Sequence, residues 1–102
     1  MRQKLYDTAF RIKNRVYGNR VVLFAPIYTA NYCSNSCSYC GFRGANTELE
    51  RIAVSDEDLI KEVAVMTAEG HKRTVMLCGE HPRYPFESFL HHVITVADYR
   101  GP

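Results

Sequence analysis

Apolar residues at Leu5, Ala9, Ile12 and Val16 recur at intervals of three and four, with Phe10 and Tyr17 beside them, so residues 1–18 read as an amphipathic helix. Arg2, Lys4, Arg11, Lys13 and Arg15 fall mostly on the other side, as the solvated face of a packed helix rather than a membrane or targeting helix. Gly18-Asn19 stops it. The period then changes. Val21 to Ala25 form an unbroken apolar run closed by Pro26, and with Ile27 and Tyr28 they predict a strand over 21–28 buried on both faces, as in a parallel sheet covered by helices.

Residues 29–54 show no regular period, apart from Leu49, Ile52 and Ala53, which suggest a short local element. A loop of about 25 residues is long for a compact domain and is generally functional or disordered. Ser55-Asp56-Glu57-Asp58 opens a second helix, 55–69, with the serine as N-cap and three acids where the helix dipole favours negative charge. Leu59, Ile60, Val63, Met66 and Thr67 line one side, Met66 as core rather than ligand, and Gly70 ends it. Lys72-Arg73 lead into a second apolar strand, 73–78, and Phe89, Leu90, Val93 and Val96 make the core stripe of a last helix, 86–98. Strand, long loop, helix, strand is one right-handed crossover between parallel strands, so the expected class is α/β.

Composition narrows the setting. A chain of 102 residues, 46% hydrophobic and 24% charged, suits one small globular domain, 1–102. A net charge of +2, with basic residues interleaved among eleven acids, argues against nucleic acid or an anionic membrane as partner. With no long apolar span and no signal-peptide core, the expected location is the cytoplasm.

The chemistry concentrates in the long loop. Cys33, Cys37 and Cys40 are spaced C-x-x-x-C-x-x-C, which lets one loop wrap an inorganic centre with soft thiolate ligands suited to iron or zinc. Three thiolates on a cubane iron–sulfur cluster leave one iron open for a non-protein ligand. Ser34, Asn35, Ser36 and Ser38 are small and polar, so the backbone can bend and aim N–H groups at sulfur, and Gly41 allows a tight exit. Zinc is the competing reading, with His71, His81 or Cys78 as a fourth ligand; Cys37 and Cys40 also form a thioredoxin-like pair that leaves Cys33 unexplained. Cys78, inside the apolar strand, reads as a small buried hydrophobe. His71 falls at a solvated turn, and His91 and His92 read as structural.

The second strand runs directly into Gly79-Glu80-His81-Pro82. Ligands of parallel α/β folds bind beyond the C-terminal strand ends, so this segment and the cysteine loop are expected to share one rim. There Gly79 allows close backbone approach and Glu80 can bind a cationic amino group, while His81 reads as structural, with contact to the ligand as the alternative.

The three-cysteine spacing, with aromatic Tyr39 before the last cysteine, resembles the radical S-adenosylmethionine enzymes. Tyr17-Gly18-Asn19-Arg20, Asn31-Tyr32-Cys33, Cys40-Gly41-Phe42-Arg43, Gly70-His71-Lys72-Arg73 and Cys78-Gly79-Glu80-His81-Pro82 look like the tyrosine lyases of that superfamily, over about Leu5 to Val96. Gly-His-Lys-Arg and Gly-Glu-His-Pro favour the branch of [FeFe]-hydrogenase maturation over the related 2-iminoacetate synthase of thiamine thiazole synthesis.

The resemblance implies a (β/α)8-type, TIM-like barrel and a [4Fe-4S] cluster on Cys33, Cys37 and Cys40 that binds S-adenosyl-L-methionine. It further implies Tyr39 near the adenine, or merely shielding the cluster, and Gly79 with Glu80 at the methionyl end. The implied reaction generates a 5′-deoxyadenosyl radical and cleaves L-tyrosine to p-cresol and dehydroglycine, with an electron donor such as a ferredoxin or flavodoxin. In the hydrogenase branch a second iron–sulfur centre then yields carbon monoxide and cyanide. A barrel of this kind takes about 200 residues or more. Two strand–helix units therefore make an N-terminal, incomplete barrel with exposed apolar edges, and the non-continuing tail 98–102 suggests a truncated or frameshifted product, inactive by itself.

Overall fold

Ser55 begins the element that carries most of the core. Its Oγ accepts from the Asp58 N–H (3.2 Å) and donates to the Asp58 carboxylate (3.0 Å), an N-cap that starts a helix where the acidic turn predicts one. The computed structural model describes residues 1–101 and runs α1 (Arg2–Tyr17), β1 (Ala25–Ala30), α2 (Asp56–Ala68), β2 (Thr74–Cys78), α3 (Phe86–Arg100). Pro102, the last residue of the expected non-continuing tail, lies outside the described residues.

β1 and β2 pair in parallel, Ala25 with Thr74, Ile27 with Met76 and Ala30 with Cys78. Thr29 is the extra residue of a register shift, fully buried, and its hydroxyl donates to the Leu77 carbonyl (3.3 Å). Ile27, Leu59, Val63 and Val96 form the buried core, with Val54, Met66 and Met76 packed against it, so α2 and α3 cover one face of the sheet. Alternation puts Tyr28, Val75 and Leu77 on the other face, where they are exposed. The result is the expected α/β class, with the exposed apolar surface expected of an incomplete barrel.

Three expectations need correction. The first strand is 25–30 and not 21–28: Val21 and Leu23 are 73% and 74% exposed, outside any strand. The segment opposite them is the end of α2 and the turn at Gly70 (φ 90°), and the Ala25 N–H to Arg73 carbonyl bond (3.2 Å) marks where β2 first offers a partner. Nor is the first strand buried on both faces, since Tyr28 is exposed on the side opposite Ile27. The first helix forms where predicted but buries no residue. The connector 18–24 carries it away from the core, and the radius of gyration is 17.4 Å, against about 13 Å for a compact chain of about 100 residues.

Candidate functional site

The cysteine loop leaves β1 at Ala30 and is closed at its base. Ala30 bridges Ala53, the Asn31 N–H donates to the Ile52 carbonyl (3.1 Å), and the Asn31 side chain bonds the Glu50 carbonyl (2.7 Å) and the Ile52 N–H (2.7 Å). Inside, Arg51 donates to four backbone carbonyls: Asn31 (2.6 Å) and Phe42 (2.7 Å) through Nη1, Arg43 (2.8 Å) and Asn46 (3.0 Å) through Nη2. Sequence reasoning missed Arg51, because its partners are main-chain atoms and no side-chain pattern marks them. The loop is aperiodic because its order comes from this hub rather than from a repeating ladder.

The two chemical motifs meet at the C-terminal ends of the parallel strands. The Ser34 N–H and hydroxyl both donate to the Glu80 carbonyl (3.0 and 2.9 Å), and the Asn35 amide donates to the Glu80 carboxylate (3.1 Å). A Cβ at Gly79 would stand 2.2 Å from the Tyr32 carbonyl oxygen and 2.7 Å from the Cys33 Cβ, so glycine is what lets β2 end directly against the cysteine loop. Backbone hydrogen bonding from Glu80 and then Asn35 lowers the Cys33 thiol below its ordinary value, against the opposing effects of burial and the Glu80 carboxylate.

Cys37 is exposed and Cys40 partly buried, joined by a turn in which the Cys40 N–H donates to the Cys37 carbonyl (3.1 Å). Tyr39 between them is 93% exposed. Gly41 has no positive φ and nothing near its Cβ position, so the tight exit does not depend on glycine. Cys78 is not buried, contrary to expectation: it lies at the exposed end of β2, with its thiol pushed up by partial burial and then by the Glu80 and Cys33 charges.

The histidines separate. His71 lies before the opposite end of β2, whose Thr74–Cys78 span alone covers about 13 Å by strand rise, so it cannot complete a zinc site with the loop cysteines. His81 lies on the cysteine side, its ring 5.5 Å from Tyr32 and its Nδ1 accepting from the Arg83 N–H (3.0 Å). His92 is buried and bonds the Tyr84 hydroxyl (2.6 Å), while Asp56 holds His91 at 2.8 Å and His92 at 3.4 Å. This network ties the start of α2 to α3, and sequence reasoning missed it because its members are 8 to 36 positions apart.

Among the described residues no three His, Cys, Asp or Glu side chains converge tightly enough to cage a single ion. All four thiols are free, and the rim offers three of them on one loop, with the Cys33 thiolate favoured by backbone hydrogen bonding. Sulfur donors supported by backbone amides suit an iron–sulfur cluster, whose ligands stand farther apart than those of one ion.

No family model matches the chain. It is 32% identical over 79 residues to the 2-iminoacetate synthase of Escherichia coli, covering 78% of this chain and 21% of that protein. It is 33% identical over 82 residues to the 3-methylornithine synthase of Methanosarcina acetivorans, covering 80% of this chain and 23% of that one. The crystal structure of HydG, a maturase of the [FeFe]-hydrogenase, superposes with a TM-score of 0.81 at 38% identity, covering 94% of this chain and 21% of HydG. The chain thus spans between a fifth and a quarter of the length of these relatives. The homologues of this chain, enzymes named for different products and matched over 78% to 94% of its length, are radical S-adenosylmethionine enzymes.

Proposed function

We propose that this chain is the cluster- and cofactor-binding part, at the N-terminal side of the barrel, of a radical S-adenosylmethionine tyrosine lyase. The observation that carries the reading is the joint between the cysteine loop and Gly79-Glu80, where Ser34 donates twice to the Glu80 carbonyl and the glycine admits the loop to the strand end. Cys33, Cys37 and Cys40 would hold a [4Fe-4S] cluster. Asn35 holds the Glu80 carboxylate through one oxygen, Oε2, leaving the other to receive the methionyl ammonium. Tyr39, which is exposed, would pack against the adenine. When bound, the cluster and S-adenosylmethionine supply a one-electron cleavage of the sulfonium that generates a 5′-deoxyadenosyl radical.

The proposed substrate is L-tyrosine, cleaved to p-cresol and dehydroglycine with electrons from a ferredoxin or flavodoxin in the cytoplasm. Likeness to HydG favours service to hydrogenase maturation, with carbon monoxide and cyanide as later products; likeness to the E. coli enzyme favours 2-iminoacetate for thiazole synthesis. Both branches begin with the same cleavage, which is proposed of the complete barrel. The chain itself is tested by anaerobic reconstitution. About four irons and four sulfides per chain are expected, lost in Cys37→Ala and kept in Cys78→Ala, with 5′-deoxyadenosine formed on adding dithionite and S-adenosylmethionine. A folded chain that takes up no sulfide, or Cys37→Ala loading as well as the parent, contradicts the reading.

A further inference from the structure

Arg51 makes bonds that a loop tether alone would not require. A guanidinium has four terminal N–H groups in a fixed plane, and here both terminal nitrogens are shared between two carbonyls each. Among the described residues no carboxylate pairs with it, so its charge is met by carbonyl dipoles. Those carbonyls bracket the thiols. Asn31 is two positions before Cys33, and Phe42 and Arg43 are two and three positions after Cys40. Arg43 passes the constraint inward: its N–H and its side chain both donate to the Cys40 carbonyl (3.3 and 3.2 Å). A second tie crosses the loop from the Gly44 N–H to the Asn35 carbonyl (2.8 Å).

We propose that Arg51 is the positioning residue of the cysteine loop, holding its outgoing and returning strands together so that the three thiols stand ready before a cluster arrives. This rests on the reading of Cys33, Cys37 and Cys40 as cluster ligands. Three sulfurs that must meet a rigid cube at fixed separations bind it best when the loop is ordered in advance, because ordering it on binding subtracts from affinity. Lysine keeps the charge but presents one ammonium with three N–H groups on a flexible stem, so it cannot reproduce four bonds in a plane.

The test compares the 102-residue chain with Arg51→Lys. In the metal-free parent, the Arg51 terminal N–H protons should exchange with solvent far more slowly than those of the exposed Arg2, and the amides of 31–46 should be protected. In Arg51→Lys that protection should vanish while α2 and β1–β2 keep theirs. After reconstitution, chelator-driven iron loss should be about 10- to 100-fold faster, and the reduced cluster's paramagnetic resonance lines should broaden, which a change in global stability alone does not produce. Iron loss within about twofold of the parent overturns the proposal. So does rapid exchange of the Arg51 protons in the parent, a measurement that still decides if Arg51→Lys fails to fold. Loss of loop protection in the variant, with no cluster taken up by the parent, supports the clamp and removes the cluster reading. A parent cluster retained equally by the variant removes the clamp and leaves the cluster reading standing.

Discussion

Gly79→Ala probes the joint on which the site depends. The added methyl would stand 2.2 Å from the Tyr32 carbonyl oxygen, 2.7 Å from the Cys33 Cβ and 3.0 Å from the Tyr32 carbonyl carbon. Gly79 has no positive φ, so alanine meets no backbone penalty and the whole effect is steric. Comfortable carbon contacts lie near 3.5–4.0 Å, so the strand exit must move by roughly 1 Å. Two of the obstructing atoms are main chain and the third is the base of a proposed ligand, so no flexible side-chain tip can swing aside.

Overpacking of this kind destabilises by about 1–3 kcal/mol, and the displacement falls on Cys33 and the two Ser34 bonds to Glu80. Urea unfolding of the reduced, metal-free chain should show that loss, and iron content after reconstitution should fall with it. Gly41→Ala, with nothing within 4 Å of its methyl, should stay within about 0.5 kcal/mol of the parent in the metal-free form. Gly44→Ala, whose methyl meets the Cys33 carbonyl at 3.2 Å, should fall between them. Equal stability and iron content in Gly79→Ala and the parent would refute the close approach.

Further outcomes follow from other parts of the molecule. Ser55→Ala removes the N-cap bond to Asp58 and should lower stability by about 1 kcal/mol in urea; no change would mean that the cap contributes nothing. In the metal-free chain, alkylation of Cys33 should reach half its maximal rate at a pH below that of an ordinary thiol, because N–H groups stabilise its thiolate, and Cys78 above it, because burial opposes charge. Coincident profiles would contradict that difference. Burial pushes the His92 imidazole down, against the Asp56 carboxylate, while His91 adds to the downward shift and the Tyr84 hydroxyl bonds its Nδ1. The unfolded chain therefore takes up a proton, as pH falls through about 6.5, that the folded chain refuses, so stability should drop there and level off below the folded value. A urea midpoint unchanged between about pH 8 and about pH 5 would contradict this burial effect.

The helices were legible because their signals are local. Ser55 with three acids fixes the start of α2 whatever packs on it, and the stripe containing Val93 and Val96 identifies α3. The shared rim was legible from topology, since parallel strands put the segments after Ala30 and Cys78 side by side. The run Val21 to Phe24 misled because apolarity states what a segment would bury, whereas strand formation needs a partner, and β2 begins opposite Ala25. Cys78 misled for a related reason: its neighbours predicted burial, but it is the last residue of a two-stranded sheet with an open face. Arg51 and the Asp56–His92–Tyr84 network stayed hidden because they join positions by side-chain geometry that no periodicity encodes.

The central claim is that Cys33, Cys37 and Cys40 hold a cluster with one iron open to S-adenosylmethionine beside Glu80. Electron paramagnetic resonance of the anaerobically reconstituted, dithionite-reduced chain, with and without S-adenosylmethionine, tests it most directly. The account predicts a [4Fe-4S]+ signal whose g values shift when S-adenosylmethionine is added, with the shift weakened in Glu80→Gln. A cluster signal indifferent to S-adenosylmethionine, or a folded chain that yields no cluster signal, would contradict it.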